Sequence, residues 1–247
     1  MKRVLATSLI CSIFISLIPS SSGVAEDHDS RLSSNNDDVI QRIVNPSFVP
    51  NNDGIPNRTA GGGSRNAGVC PTDSISHGAS LVPILAGDTQ NLTALDHPSL
   101  LVYINNNEVS QLFLSVMGNE DGYDYQTVVP ISEDSGILKI ALPNDAPPLL
   151  AGSTYQWSLA IVCGESLRPD DPFVRGQIQR VELADAPRNT TIESVAFYVD
   201  NGVWYDAIST LADIRQVNAA DVEVSSSWTA LLGAVGLEEF ASSTLLF

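Results

Sequence analysis

The stretch that decides the fold reads Leu149-Leu150-Ala151-Gly152-Ser153-Thr154-Tyr155-Gln156-Trp157-Ser158-Leu159-Ala160-Ile161-Val162-Cys163. From Thr154 onward it alternates. Tyr155, Trp157, Leu159, Ile161 and Cys163 share one parity, and Thr154, Gln156, Ser158 and Ala160 share the other. Successive side chains of a strand point to opposite faces. The alternation therefore predicts a strand with one buried, aromatic-rich face, with Cys163 on the same side as Trp157. Trp157 is expected in the core, not at a ligand.

Working outward, short apolar runs broken by turn residues continue on both sides. Candidate strands are Leu81–Leu85, Ser99–Ile104, Gln111–Met117, Tyr125–Val129, Ile137–Leu142, Thr154–Cys163 and Phe173–Leu183. The breaks carry Asn105-Asn106-Asn107, Asp121-Gly122, Asp134-Ser135-Gly136, Pro147-Pro148 and Arg168-Pro169-Asp170-Asp171-Pro172. This spacing predicts an antiparallel β-sandwich over 58–184, of the immunoglobulin/fibronectin III kind. No long helical pattern interrupts the runs, which argues against a parallel α/β sheet. The turn before the deciding strand, Leu149-x-Ala151-Gly152-Ser153-x-Tyr155, resembles the Leu-x-Pro-Gly-Thr-x-Tyr corner of fibronectin type III domains, with Ala151 where proline stands. The resemblance implies that Tyr155 hydrogen-bonds back to the chain upstream.

The next segment, 187–237, switches to helical period, which makes the whole chain α+β. Thr190 with Glu193 reads as a capping-box pair. Ile192, Val195, Ala196 and Val199 follow at helical spacing. Asp200-Asn201-Gly202 breaks the helix. Trp204, Ala207, Ile208, Leu211 and Ala212 repeat the pattern, as do Trp228, Leu231, Leu232 and Val235, with Gly236 as a stop. Ala196-x-Tyr198-x-x-x-Gly202-x-Trp204-x-x-Ala207-Ile208-x-x-Leu211 resembles the central part of one tetratricopeptide repeat, without the proline expected after its second helix. A short helical hairpin on the sandwich is expected, then a tail over 238–247.

The first 25 residues read as a secretory signal. Met1, Lys2 and Arg3 give a basic start, Val4–Ile18 is apolar, and Gly23 and Ala25 satisfy the small-x-small cleavage rule. The apolar run is 15 residues, short of the ~20 that a membrane span needs, and no later run is longer. The mature chain is expected to be secreted or periplasmic. Cys70 and Cys163 are then the only cysteines left in an oxidising compartment, which predicts a disulfide between them. Residues 26–57, rich in Asp, Asn and Ser, read as a flexible acidic leader, with a weak apolar island at Ile40, Ile43, Val44, Phe48 and Val49.

Of 12 basic residues, the signal removes Lys2 and Arg3, leaving 10 against 29 acidic ones, a net of −19. Such a surface repels phosphate backbones and anionic lipids, which excludes nucleic-acid binding. Chemistry is harder to find. Gly61-Gly62-Gly63-Ser64 lacks both a phosphate-loop ending and the last glycine of a nucleophile elbow. His28, His77 and His97 are the only histidines, and no two have metal-ligand spacing. Asn119-Glu120-Asp121-Gly122-Tyr123-Asp124 lacks the ligand pattern of a calcium loop. We therefore expect no catalytic residues, no metal and no cofactor.

Several pieces together resemble one family, the mostly cyanobacterial secreted proteins catalogued as domain of unknown function 928. They are the secretory start, Pro56-x-Arg58-x-x-Gly61-Gly62-Gly63-x-Arg65 leading to Cys70, the Tyr155-x-Trp157 strand ending at Cys163, Phe173-Val174-x-Gly176-x-Ile178-x-Arg180-Val181, and Asn201-Gly202-x-Trp204-Tyr205-Asp206-Ala207. The resemblance spans about residues 56 to 237 and implies no activity. Two functional classes remain. The first is a non-enzymatic protein-interaction module of the cell envelope, with Tyr198, Tyr205 and Asp206 on the partner-facing sides of their helices. The second is a carbohydrate- or cell-wall-associated β-sandwich, binding or hydrolytic, which a row of aromatics across one sheet face would favour.

Overall fold

The computed structural model describes residues 38–44, 70, 78–87, 91–105, 108–118, 122–132 and 134–247. The signal segment, most of the acidic leader, the glycine-rich segment, His28, His77 and Asn119–Asp121 lie outside them.

Among the described residues, nine strands form two sheets. They are β1 (Ser80–Pro83), β2 (Leu92–Thr93), β3 (Ser99–Asn105), β4 (Gln111–Gly118), β5 (Asp124–Pro130), β6 (Gly136–Ala141), β7 (Thr154–Ile161), β8 (Phe173–Arg180) and β9 (Leu245–Leu246). One sheet runs β1-β3-β6-β9 and the other β2-β8-β7-β4-β5. The seven runs expected from alternation each hold a strand. The sheets are nonetheless mixed, not purely antiparallel, because β2 pairs parallel with β8 and β9 parallel with β6. A parallel neighbour must arrive by a crossover and not by a hairpin; β9 does so after the helices. The expected tail over 238–247 thus completes a sheet.

The first core lies between the sheets. Leu100, Val102, Ile104, Leu138 and Ile140 of one face Leu112, Leu114, Val116, Tyr155, Trp157, Leu159 and Ile161 of the other. Tyr155 closes the corner as the resemblance implies: its hydroxyl accepts a hydrogen bond from Leu150 N at 2.8 Å. The second core lies on the outer side of the four-stranded sheet. There Leu101 and Ile137 meet the helices α2 (Ile192–Asp200), α3 (Trp204–Val217) and α4 (Val222–Gly233). The molecule is therefore three-layered, helices over one sheet over the other, and β3 is buried on both faces.

Local chemistry sets the helix ends. Thr191, one residue beyond the expected Thr190, caps α2 by accepting from Ser194 N, so the capping pair is Thr191–Ser194. Asp221 caps α4 by accepting from Glu223 N and Val224 N. Gly202, at φ +69°, takes the left-handed conformation that turns α2 into α3. A short helix at 38–44, α1, docks on the same layer. Its Ile43 is fully buried there and Arg42 pairs with Asp200. Ile43 of the leader's apolar island thus has a seat, while Phe48 and Val49 lie outside the described residues.

Candidate functional site

Tyr198, Tyr205 and Asp206 do not face outward: they are 3%, 1% and 1% exposed. Tyr198 donates its hydroxyl proton to Pro187 O at 2.8 Å. The Tyr205 hydroxyl accepts from Trp157 Nε1 at 2.8 Å and donates to Gln177 O at 3.0 Å. Burial pushes its pKa well up, so the phenol keeps the proton it donates. These side chains offer almost no contact area to a partner. The physical reason is that α3 buries more than the stripe marked by Trp204, Ala207, Ile208 and Leu211. Tyr205 reaches the core between the sheets while its neighbours pack among the helices.

Asp206 is the most unusual of the three. Its Oδ2 accepts from Ala94 N at 2.9 Å, and the Thr93 hydroxyl is beside the carboxyl and favours its charged form. Its Oδ1 has no partner among the described residues. Desolvation raises the carboxyl to about 6, and hydrogen bonding from Ala94 N, the Thr93 hydroxyl and its own backbone pulls against that rise. Beside it opens a cleft of about 780 Å³, whose lining includes Lys139, Arg180, Tyr198, Ser209 and Asp213. Of the charged groups there, Lys139 pairs with Asp213, and Arg180 donates to the backbone at Leu149 O. Nearby His97 bridges Asp96 and Ala146 O, and the hydrogen bond to His97 lowers the Asp96 carboxyl. Among the described residues no three His, Cys, Asp or Glu side chains are placed to hold a metal.

Cys70 and Cys163 are disulfide-bonded, both buried, with Cα atoms 5.7 Å apart. The bridge fixes residue 70 at the end of β7. Trp157 is core, as its parity predicts. It lies over Gly176 so closely that a Cβ there would sit 2.6 Å from the indole, and only glycine leaves that space.

No described element covers the outer face of the five-stranded sheet. Register places its side chains in rows across β5, β4, β7 and β8. One row is Val128, Phe113, Ala160, Phe173; the next Gln126, Ser115, Ser158, Arg175; the third Asp124, Met117, Gln156, Gln177. All are exposed or half-buried. Gln111 and Gln179 extend the face, so five of the chain's eight glutamines stand on it. The alternation of β4, β7 and β8 already contained this face, since the residues opposite the core parity are the ones it displays. What the sequence did not mark was that Phe113 and Phe173 fall in one row.

No curated protein matches the chain. A solved fn3 domain of human collagen alpha-1(XX) chain is 13% identical over 49% of this chain and 96% of its own. Its TM-score is 0.26, too low to carry an argument. The profile of the family described as Domain of Unknown Function (DUF928) matches residues 60–245, most of the chain, from before β1 through α4. By that match, the chain belongs to the DUF928 family.

Proposed function

We propose that this protein is a non-enzymatic binding module exported to the cell envelope, with the outer face of the five-stranded sheet as its ligand surface. The observation that carries this reading is that face itself: four strands wide, bare of described elements, with an apolar row beside rows rich in amides and hydroxyls. The basic start, apolar run and small residues of 1–25 support export, as does a bridge between the two remaining cysteines. The α2–α3 hairpin keeps the tetratricopeptide-like pattern as a packing device, and the sandwich keeps the fibronectin-like corner. The test is sedimentation of purified mature protein with isolated envelope fragments. Phe113→Ser with Val128→Ser is expected to abolish co-sedimentation at unchanged melting temperature. Equal sedimentation of both proteins refutes the reading.

A second reading, a protein partner on the helical layer, rests on the α3–α4 turn. Val217 and Val222 are 77% and 80% exposed there, beside a cleft of about 650 Å³ whose lining includes Glu193, Asp213, Asp221 and Glu223. A basic, partly apolar protein segment suits that combination. Loss of a co-purifying protein from Val217→Asp/Val222→Asp, with wild-type envelope sedimentation, would select it.

A further inference from the structure

The outer face of the five-stranded sheet is neutral in a chain whose net charge is −17. Asp124 and Arg175 are the charged members of its three rows, and they cancel. Asp124 is already engaged, accepting from Gln126 Nε2 at 3.1 Å. Gln156 and Gln177 are cross-strand neighbours that make no side-chain hydrogen bond to described residues. Each primary amide offers two donors and an acceptor. A pair side by side therefore suits a ligand whose groups both give and accept protons, and the hydroxyls of a sugar do both. In the next row but one, Phe113 and Phe173 stand two strands apart, about 10 Å by strand spacing, with small Ala160 between them. That interval matches a disaccharide step in an extended chain, and the apolar C–H face of a sugar ring can lie on each phenyl ring.

Resting on the reading of this face as the ligand surface, we infer that the ligand is a neutral glycan polymer lying across the strands. Its ring faces sit on Phe113 and Phe173, and its hydroxyls on Gln156 and Gln177. An anionic polymer meets the repulsive field of the whole chain and a single arginine. Protein hot spots favour Trp, Tyr and clustered Arg in desolvated pockets; these rows hold no Trp or Tyr, one Arg, and no pocket.

Native affinity electrophoresis in gels cast with hydroxyethylcellulose, glucomannan, dextran or alginate tests the inference. Wild-type protein is expected to be retarded by at least one of the three neutral polymers and not by alginate. Phe113→Ala/Phe173→Ala and Gln156→Glu/Gln177→Glu are each expected to weaken retardation about tenfold at unchanged melting temperature. Retardation by no neutral polymer, equal retardation by alginate, or full retention by both variants overturns the inference. If none of the neutral polymers retards the protein while the face variants still lose envelope sedimentation, the face stands as a ligand surface and its ligand is a protein. If the face variants sediment like wild type, the surface reading itself falls.

Discussion

Replacing Asp206 with asparagine isolates the cost of a buried charge. The carboxyl is 1% exposed, its Oδ1 has no partner among the described residues, and its pKa is raised from 3.8 to about 6. The direction of the effect follows from proton binding. Between 3.8 and about 6 the folded state holds a proton that the unfolded chain has released, so stability falls as pH rises through that window. Below it both states are protonated and the penalty vanishes; above it the penalty is complete. A rise of about two units at about 1.4 kcal/mol each makes the full penalty about 3 kcal/mol. Asparagine keeps an oxygen for Ala94 N and the Thr93 hydroxyl and carries no charge at any pH. Any fixed misfit of the amide at the Oδ1 position is the same at every pH and cancels in the comparison. Urea unfolding of Asp206→Asn and wild type at pH 4 and pH 7 is the assay. Since pH 4 lies just above 3.8, part of the penalty is already present there, and the variant is expected to gain about 2–2.5 kcal/mol on wild type between the two values. A difference that does not change with pH would show that Asp206 titrates as an ordinary surface acid, and the buried-carboxylate argument would be wrong.

Other expectations follow from single contacts. Tyr205→Phe strands the Trp157 indole N–H and the Gln177 carbonyl, and is expected to cost about 2–4 kcal/mol in chemical denaturation; an unchanged midpoint would mean that the hydrogen bonds carry nothing. Gly176→Ala drives a methyl group into the Trp157 ring and is expected to destabilise by about 2 kcal/mol or more, with part of the loss recovered by adding Trp157→Phe. Trp157→Ala is expected to cost about 3–5 kcal/mol as a large-to-small core change. Reducing the Cys70–Cys163 bridge removes a link that closes 93 residues of chain, an effect of up to roughly 4–5 kcal/mol in the chain-entropy picture, read as a lower melting temperature in reductant.

The sandwich was legible because each long strand carries its own period. Tyr155 to Cys163 names its buried face without help from any neighbour. The two-residue strands β2 and β9 could not be read, since Leu92-Thr93 and Leu245-Leu246 have no period and pair only because tertiary structure delivers them. The layering left a trace in Leu100-Leu101-Val102-Tyr103-Ile104, a continuous apolar run where β4 and β7 alternate. A strand covered on both faces has no polar parity to show. Tyr205 and Asp206 were misplaced for a related reason. A helical stripe marks one buried face, and α3 has more than one. Nor did the sequence mark that Asp206 would be drawn under Ala94 and Thr93, because that contact spans 112 positions of chain. The outward rows of the five-stranded sheet were present in every polar parity position, but their alignment depends on register, which no strand encodes alone.

Tyr205 sits where the helical layer meets the sandwich, hydrogen-bonded to Trp157, and the three tryptophans of the chain have an optical consequence. Trp157, Trp204 and Trp228 are all shielded from water, so intrinsic fluorescence of the native protein should be blue-shifted. They mark different layers: Trp157 lies between the sheets, Trp204 donates to Ile84 O at the joint of α3 and the four-stranded sheet, and Trp228 lies in α4 beneath the Arg215 guanidinium. Shedding the helices would wet Trp204 and Trp228 and take the hydroxyl acceptor from Trp157, all three spectroscopically visible. A red shift in one step would mean that the helices and the sandwich melt together, and two steps would give the order in which they part.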